Sequence, residues 1–554
     1  MGRPGRFLMA EQLVMAGVRH VFGNPGTTEQ QFMDVLHDYP QLQYVLALHE
    51  AVALGMADGY SRLSPVPAFV QLHITVGLGN AMGMLYNAWR TRAPMVIYAG
   101  QHPLAGGLQE PILSGDLVSM ARPYTKWAVE VTRAAEIPMA LRRAFKVAMD
   151  PPQGPVFLSI PADVMDEVAE ASIAPLQPTY SWVPPQGEAV AKAAAILCQA
   201  QAPVIVAGDG ALGAEEELTS LALLIGAPIY VAFGTRVPVS SDNPMYAGPL
   251  NVLSWNALRA QLGGADALLA VGCPLFPALS PLPASPLSPG CRIIHVDDAP
   301  DELGKTWLTE VPMLAAPKEA LRVLREEVAK SITLQAGHRA QERVEALTKA
   351  KEEARRAAQE TVPRSSKGQA MPPAHFAYEL SQAVDRDSLL YDESVTVAGH
   401  LMRFLRLGPG QHLRAAGGGL GTGMGAPIGL KLAQPQRPVI AVVGDGAALY
   451  TIQALWTAAH YQIPVTWVIA NNRSYRILKL NMLQYRGEAG KGRPFIAMDL
   501  IEPEVDFVAL GQAFGVKGVR IEDPDELAPA VRQAQASREP WLLEVIIDGS
   551  VDGG

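Results

Sequence analysis

Two short polar stretches, Gly444-Asp445-Gly446 and Ala470-Asn471-Asn472, combine residue types that can hold a hard cation beside a phosphorylated ligand. Asp445 offers a charged oxygen, Asn472 a neutral one and the Ser474 carbonyl a third. A cation such as Mg2+ takes oxygen ligands and keeps part of its shell for phosphate and water. Gly446 lets backbone approach closely, and the N–H groups of Ala447 and Ala448 suit a diphosphate. Either stretch alone reads as an ordinary turn, so the elements around them decide. Residues 439–443 are an apolar, β-branched run too short for a helix, 450–461 carry apolar side chains at near-helical spacing, and 465–469 read as a second strand. Such a unit makes a right-handed parallel crossover, which sets both strand ends on one edge of the sheet. Ligands of open α/β sheets bind at that edge.

A second set of polar residues falls at expected strand ends near the N-terminus. Strands are expected over 18–22, 44–48, 68–72, 94–100 and 154–161, with helices over 7–16 and 51–60. Glu50 then stands where a strand passes into a helix, and His73 follows a strand and precedes a small-residue loop, Gly77-Leu78-Gly79-Asn80-Ala81. Taken singly, Glu50 could serve only a helix dipole, worth at most about 1 kcal/mol. His73 could equally be a structural histidine. Alternation of strand and helix predicts a parallel sheet covered on both faces.

With 554 residues the chain has room for about three to four domains. Its 49% hydrophobic and 18% charged content describes a globular protein with ample core, and a net charge of -9 argues against nucleic acid as partner. Cys198, Cys273 and Cys291 lack metal spacing and read as buried thiols in a reducing compartment. No signal-peptide core or membrane-length apolar run is evident, so a cytoplasmic location without membrane contact is expected.

The middle of the chain offers a second Gly-Asp-Gly. A strand over 203–207 runs into Gly208-Asp209-Gly210, a formal match both to the dinucleotide fingerprint and to the triplet at 444–446. It reads as a decoy: the next strand, 228–233, ends in Gly234-Thr235-Arg236 where a ribose-binding acid would stand, and no Asn-Asn follows. Residues 318–360 are charged and helix-prone, a solvated face. In the last third, Ala415 to Gly425 is too rich in glycine to begin as a regular element, but glycine lets a backbone touch a cofactor.

Gly-Asp-Gly closing with Asn-Asn resembles the diphosphate and metal motif of thiamine diphosphate-dependent enzymes. Gly23-Asn24-Pro25-Gly26, the Glu50 segment, Leu72-His73 with Gly79-Asn80-Ala81-Met82-Gly83, and Gly154-Pro155-Val156 are similar to the pyrimidine-binding domain of their benzoylformate decarboxylase branch. The resemblance implies an α/β fold of three doubly wound parallel-sheet domains. These are a pyrimidine-binding domain over 1–172, a middle nucleotide-fold domain over 186–335 and, after a helical segment and linker over 336–371, a diphosphate-binding domain over 372–554. It implies thiamine diphosphate and Mg2+ as cofactors, with Asp445, Asn472 and Ser474 on the metal and Thr396, Gly444, Gly446, Ala447, Ser474 and Tyr475 around the diphosphate. Glu50 would contact N1′ of the aminopyrimidine, the Gly418 carbonyl would accept from its 4′-amino group, and Leu420 would hold the cofactor bent. Thr27 and His73 would meet the substrate carboxylate and move protons.

The implied activity is non-oxidative decarboxylation of a 2-oxo acid to an aldehyde, with carboligation as a side reaction. Alternatives are an acetolactate synthase-like or benzaldehyde lyase-like enzyme and a catalytically silent protein of the same fold. Because two chains build each site in this family, a homodimer or homotetramer is expected. FAD fills the middle domain in the acetolactate synthase branch and is usually absent from it in the decarboxylase branch. Three positions depart from well-studied benzoylformate decarboxylases: Leu279 stands near a second histidine, and Arg414 and Asn481 replace aromatic rings. Arginine suits a polar or anionic substrate better than a phenyl group.

Overall fold

The computed structural model describes residues 2–177, 183–277, 281–487 and 492–551. Three six-stranded parallel sheets follow one another along the chain, one in each of three domains. In the first, the spatial order is Gln43–Leu46, His20–Gly23, Ala68–Leu72, Met95–Gln101, Val156–Pro161, Trp127–Glu130. In the third it is His412–Leu413, Leu389–Glu393, Val439–Gly444, Thr466–Asn471, Trp541–Ile546, Lys517–Ile521. Counting each sheet's strands along the chain, both follow the order 2-1-3-4-6-5, whereas the middle sheet follows 3-2-1-4-5-6.

The strands are buried on both faces because their side chains alternate between two cores. Val439–Gly444 shows this well: Ala441 and Val443 enter one cluster, Ile440 and Val442 the other. Full burial on both faces explains why the run is continuously apolar rather than alternating.

Strand order then decides which loops meet. In the first and third sheets the order reverses between the first and third strands, and loops leaving those strands splay apart to open a crevice. The first domain's crevice receives the segments after His20–Gly23 and Ala68–Leu72, the third domain's those after Leu389–Glu393 and Val439–Gly444.

The first and third domains touch through two helices, Glu50–Ser61 and Thr422–Ala433. Gly55, Gly59, Gly425 and Gly429 line the crossing, and a Cβ at Gly429 would collide with the Met56 carbonyl and one at Gly59 with that of Ala426. The glycines are thus needed for backbone contact, which brings the N-terminal end of one helix near the glycine-rich loop that starts the other.

Some expectations change. Residues 77–81 are not a loop; they lie inside the helix Ile74–Arg90, where the Gly77 N–H bonds the His73 carbonyl at 2.6 Å and the missing Cβ leaves space for the Glu50 carboxylate. The helix expected over 450–461 is shortened to Ala454–His460, because Tyr450 and Thr451 form tight turns on Ala447 and Ala448 and the Thr451 hydroxyl donates to the Gly421 carbonyl. Among the described residues no helix is long and apolar enough to cross a membrane.

Candidate active site

Asp445 follows the strand Val439–Gly444 and is buried, 3% exposed. Its carboxylate accepts from the backbone N–H of Gly446 at 2.9 Å and of Ser474 at 3.1 Å. The Asn472 side-chain oxygen accepts from the same Ser474 N–H at 3.0 Å and from its hydroxyl at 3.1 Å. One amide therefore holds both candidate ligand oxygens side by side. Arg473 between them adopts φ 56°, a left-handed conformation uncommon outside glycine, and this kink turns Asn472 and Ser474 toward Asp445. Burial pushes the Asp445 carboxyl up to about 6 against the pull of its backbone N–H donors. Among the described residues no lysine, arginine or histidine bonds it. The Tyr475 ring occupies the space a Cβ on Gly446 would need.

The neighbouring loop leaves Leu389–Glu393. Asp392 accepts from the Ser394 N–H at 3.0 Å, and Val395 sits at φ 51° just before the partly exposed Thr396. A β-branched residue at positive φ is a strained position that surrounding structure must enforce. Glu393 reaches across to the glycine-rich loop, accepting from the N–H groups of Gly421 and Thr422 at 3.1 Å and of Gly423 at 2.8 Å. Burial raises its carboxyl to about 8, those donors opposing the shift. From the first domain, Asn87 brackets Gly419, donating to its carbonyl at 2.7 Å and accepting from its N–H at 3.0 Å. Held at both ends, Gly418 is left exposed at φ 81° with Leu420 partly buried beside it.

In the first domain Glu50 opens its helix, is 6% exposed, and accepts from the Asn80 side chain at 3.0 Å. His73 Nδ1 lies 3.0 Å from Glu29 and 3.3 Å from the Thr28 hydroxyl, and its ring fills the space a Cβ on Gly26 would take. Glu29 is fully buried and also accepts from the Gly26 and Gly100 N–H groups at 3.0 and 2.9 Å. Ile74, after His73, is the third strained position at φ 36°. Thr27 is exposed at the start of its turn, so its neighbour Thr28 makes the bond to His73.

Comparison with known proteins decides what these edges belong to. Family models of the thiamine pyrophosphate enzyme N-terminal binding domain, central domain and C-terminal binding domain match residues 4–114, 190–324 and 394–545. A benzoylformate decarboxylase of Pseudomonas aeruginosa is 32% identical over 541 residues, covering 96% of each chain. The chain belongs to the thiamine diphosphate-dependent enzyme family. A probable acetolactate synthase large subunit of Methanocaldococcus jannaschii is 29% identical, with 97% of this chain and 92% of that one covered. A thiamine diphosphate-dependent 4-hydroxybenzoylformate decarboxylase of Rhodococcus jostii superposes with a TM-score of 0.84 at 30% identity over 99% of both chains. As a member of this family, the chain has the three-domain fold that its sequence implies.

The donor set at Asp445 fits the family's cofactor. Among the described residues no group of three or more His, Cys, Asp or Glu side chains could hold a metal, so a cation here would rest on one carboxylate and neutral oxygens. A buried carboxylate without a counter-charge is what such a cation would neutralise. Glu50 is not joined to that edge within its own chain: among the described residues no hydrogen bond or ion pair links it to 444–475. Of the three substrate-side departures, the Arg414 guanidinium lies 5.1 Å from the Phe233 ring centroid and Asn481 is exposed on the helix Arg476–Arg486. Leu279 lies outside the described residues. Glu29, Asn87 and Glu393 went unmarked in the sequence; each is a polar residue in an otherwise apolar or small-residue segment, a signal that strand order alone turns into a contact.

Proposed function

We propose that this thiamine diphosphate-dependent enzyme removes carbon dioxide from a 2-oxo acid without oxidation and releases an aldehyde. The carrying observation is the bare, buried carboxylate of Asp445 held beside Asn472 and Ser474 at a sheet edge. Asp445, Asn472 and the Ser474 carbonyl would hold Mg2+, and Thr396, Gly444, Gly446, Ala447 and Tyr475 would surround the diphosphate. When bound, thiamine diphosphate supplies an electron sink for the carbon that loses carbon dioxide. Glu50 would hold a proton at N1′ of the aminopyrimidine, while the Gly418 carbonyl accepts from the 4′-amino group and Leu420 supports the bend. His73, oriented by Glu29 and Thr28, is placed to move a proton at the substrate, with Thr27 on its carboxylate.

Because Glu50 has no contact with the metal edge of its own chain, the site is proposed to form between two copies, in a dimer or a pair of dimers. Arg414 supports a polar or anionic substrate over a phenyl one. The test is incubation with thiamine diphosphate, Mg2+ and a panel of 2-oxo acids. Carbon dioxide with an aldehyde is the expected product pair; an acyloin as main product would instead support the carboligase reading suggested by the acetolactate synthase relative, and no turnover of any acid would support a silent protein. Glu50→Gln is expected to lower kcat at least 100-fold, within the range of roughly 10² to 10⁴ typical of a lost acid–base group.

A further inference from the structure

Away from the candidate active site, the C-terminal ends of two third-domain helices, Pro373–Ser381 and Ala398–Phe404, meet the last turns of the long helix Leu334–Glu360. Between them lies a cavity of about 290 Å3. Its walls carry Arg355, Arg386, Arg403 and Arg406 with Gln359 and Gln382, and none of the lining residues among those described is acidic. The charges beside it do not balance. Asp242 is the carboxylate in reach, 3.1 Å from Arg355, 3.8 Å from Arg406 and 3.9 Å from Arg386. The two helix ends add at most about half a negative charge each. Roughly two positive charges are left over, and Arg403 has only the Phe404 ring near its guanidinium, at 5.9 Å.

A neighbouring ammonium registers this excess. Lys351, one turn back on the long helix, donates to the Ser241 and Asn243 carbonyls. Burial first, then the guanidiniums of Arg355 and Arg406, bring it down to about 8 although Asp242 pulls the other way.

The geometry points to a binding site for a phosphate dianion, free or as a monoester, in this arginine pocket between the long helix and the third domain. Guanidinium forks match phosphate oxygens in pairs, and Gln359 and Gln382 add neutral donors. The volume stands at the bottom of the small-ligand range of roughly 300 to 1,000 Å3, which suits a single phosphate group with a short substituent and excludes a dinucleotide. The site is independent of the proposed reaction and of its cofactor.

The test uses protein saturated with thiamine diphosphate and Mg2+, so that the diphosphate site is filled, in chloride buffer of fixed ionic strength. Inorganic phosphate and glycerol 3-phosphate are titrated separately by calorimetry, the tighter of the two distinguishing a free anion from an ester. Saturable binding at one site per chain is expected, weakened at least tenfold by the double variant Arg403→Gln with Arg406→Gln. Asp242→Asn removes the competing carboxylate and is expected to tighten binding at least threefold, the opposite of what loss of a structural ion pair would do. Absence of saturable binding for both anions overturns the proposal, as does a folded double variant that binds like the parent. Should the double variant fail to fold, unchanged or weaker binding by Asp242→Asn overturns it instead.

Discussion

The chain contains the triplet Gly-Asp-Gly at two sheet edges, and the two copies have opposite electrostatics. Asp209, after Pro203–Ala207, accepts from both the N–H and the Nε of Arg236 at 2.9 Å. Burial raises its carboxyl, but Arg236 and Arg62 outweigh that and hold it below the ordinary carboxylate value. Asp445 has backbone donors and no cation, and burial leaves it high, at about 6. One triplet is already neutralised by its own protein; the other is neutral only if something else brings the charge. The arginines also tie domains together, since Arg236 donates to the Arg62 carbonyl and Arg62 to that of Arg414, both at about 3 Å. The middle triplet is thus part of a three-domain clamp, and an anionic phosphate beside Asp209 would meet a carboxylate already in place.

Breaking each side of this comparison should give different losses. Asp209→Asn leaves Arg236 and Arg62 with a missing partner and is expected to cost about 3 kcal/mol of stability, read by denaturant unfolding, with cofactor affinity little changed. The glycines separate in the same way. Gly210→Ala drives a methyl into the Gly272 backbone and should cost roughly 2 kcal/mol without touching cofactor binding. Gly446→Ala meets the Tyr475 ring, which can swing away, so stability should change little while cofactor affinity falls several-fold. Equilibrium unfolding and cofactor titration of the two variants side by side check both statements.

A pH dependence follows with a definite sign. The folded Asp445 carboxyl, at about 6, lies above the ordinary value of about 3.9. The cation-free protein therefore binds a proton that the unfolded chain does not, and gains stability as pH falls from about 7 toward 4. A cation needs the ionised form, so Mg2+ affinity should drop about tenfold per unit below about pH 6, measured by titration at fixed thiamine diphosphate. Asp209, held low, should contribute nothing in that window.

How much of this is legible in the sequence follows from what each feature requires. Asp445, Asn472 and Glu50 could be placed because each ends an apolar strand, and burial on both faces makes such strands continuous in composition. The role of Gly208-Asp209-Gly210 as a decoy was legible too, from what fails to follow it. Glu29 and Glu393 were not, because their partners lie across a sheet whose order, 2-1-3-4-6-5, has no local signature. The segment 77–81 misled because glycine usually breaks a helix, whereas here it is what lets the helix approach Glu50 and His73. Strained Ile74, Val395 and Arg473 gave no warning either: nothing in a β-branched or charged side chain announces positive φ.

The most direct test is a titration of thiamine diphosphate in the presence of Mg2+ against two single variants, Asp445→Asn and Asp209→Asn. Loss of saturable, Mg2+-dependent binding in the first with near-parental binding in the second is the predicted result. Binding that survives Asp445→Asn, or fails in a folded Asp209→Asn protein, would contradict the assignment of the cofactor to the uncompensated edge.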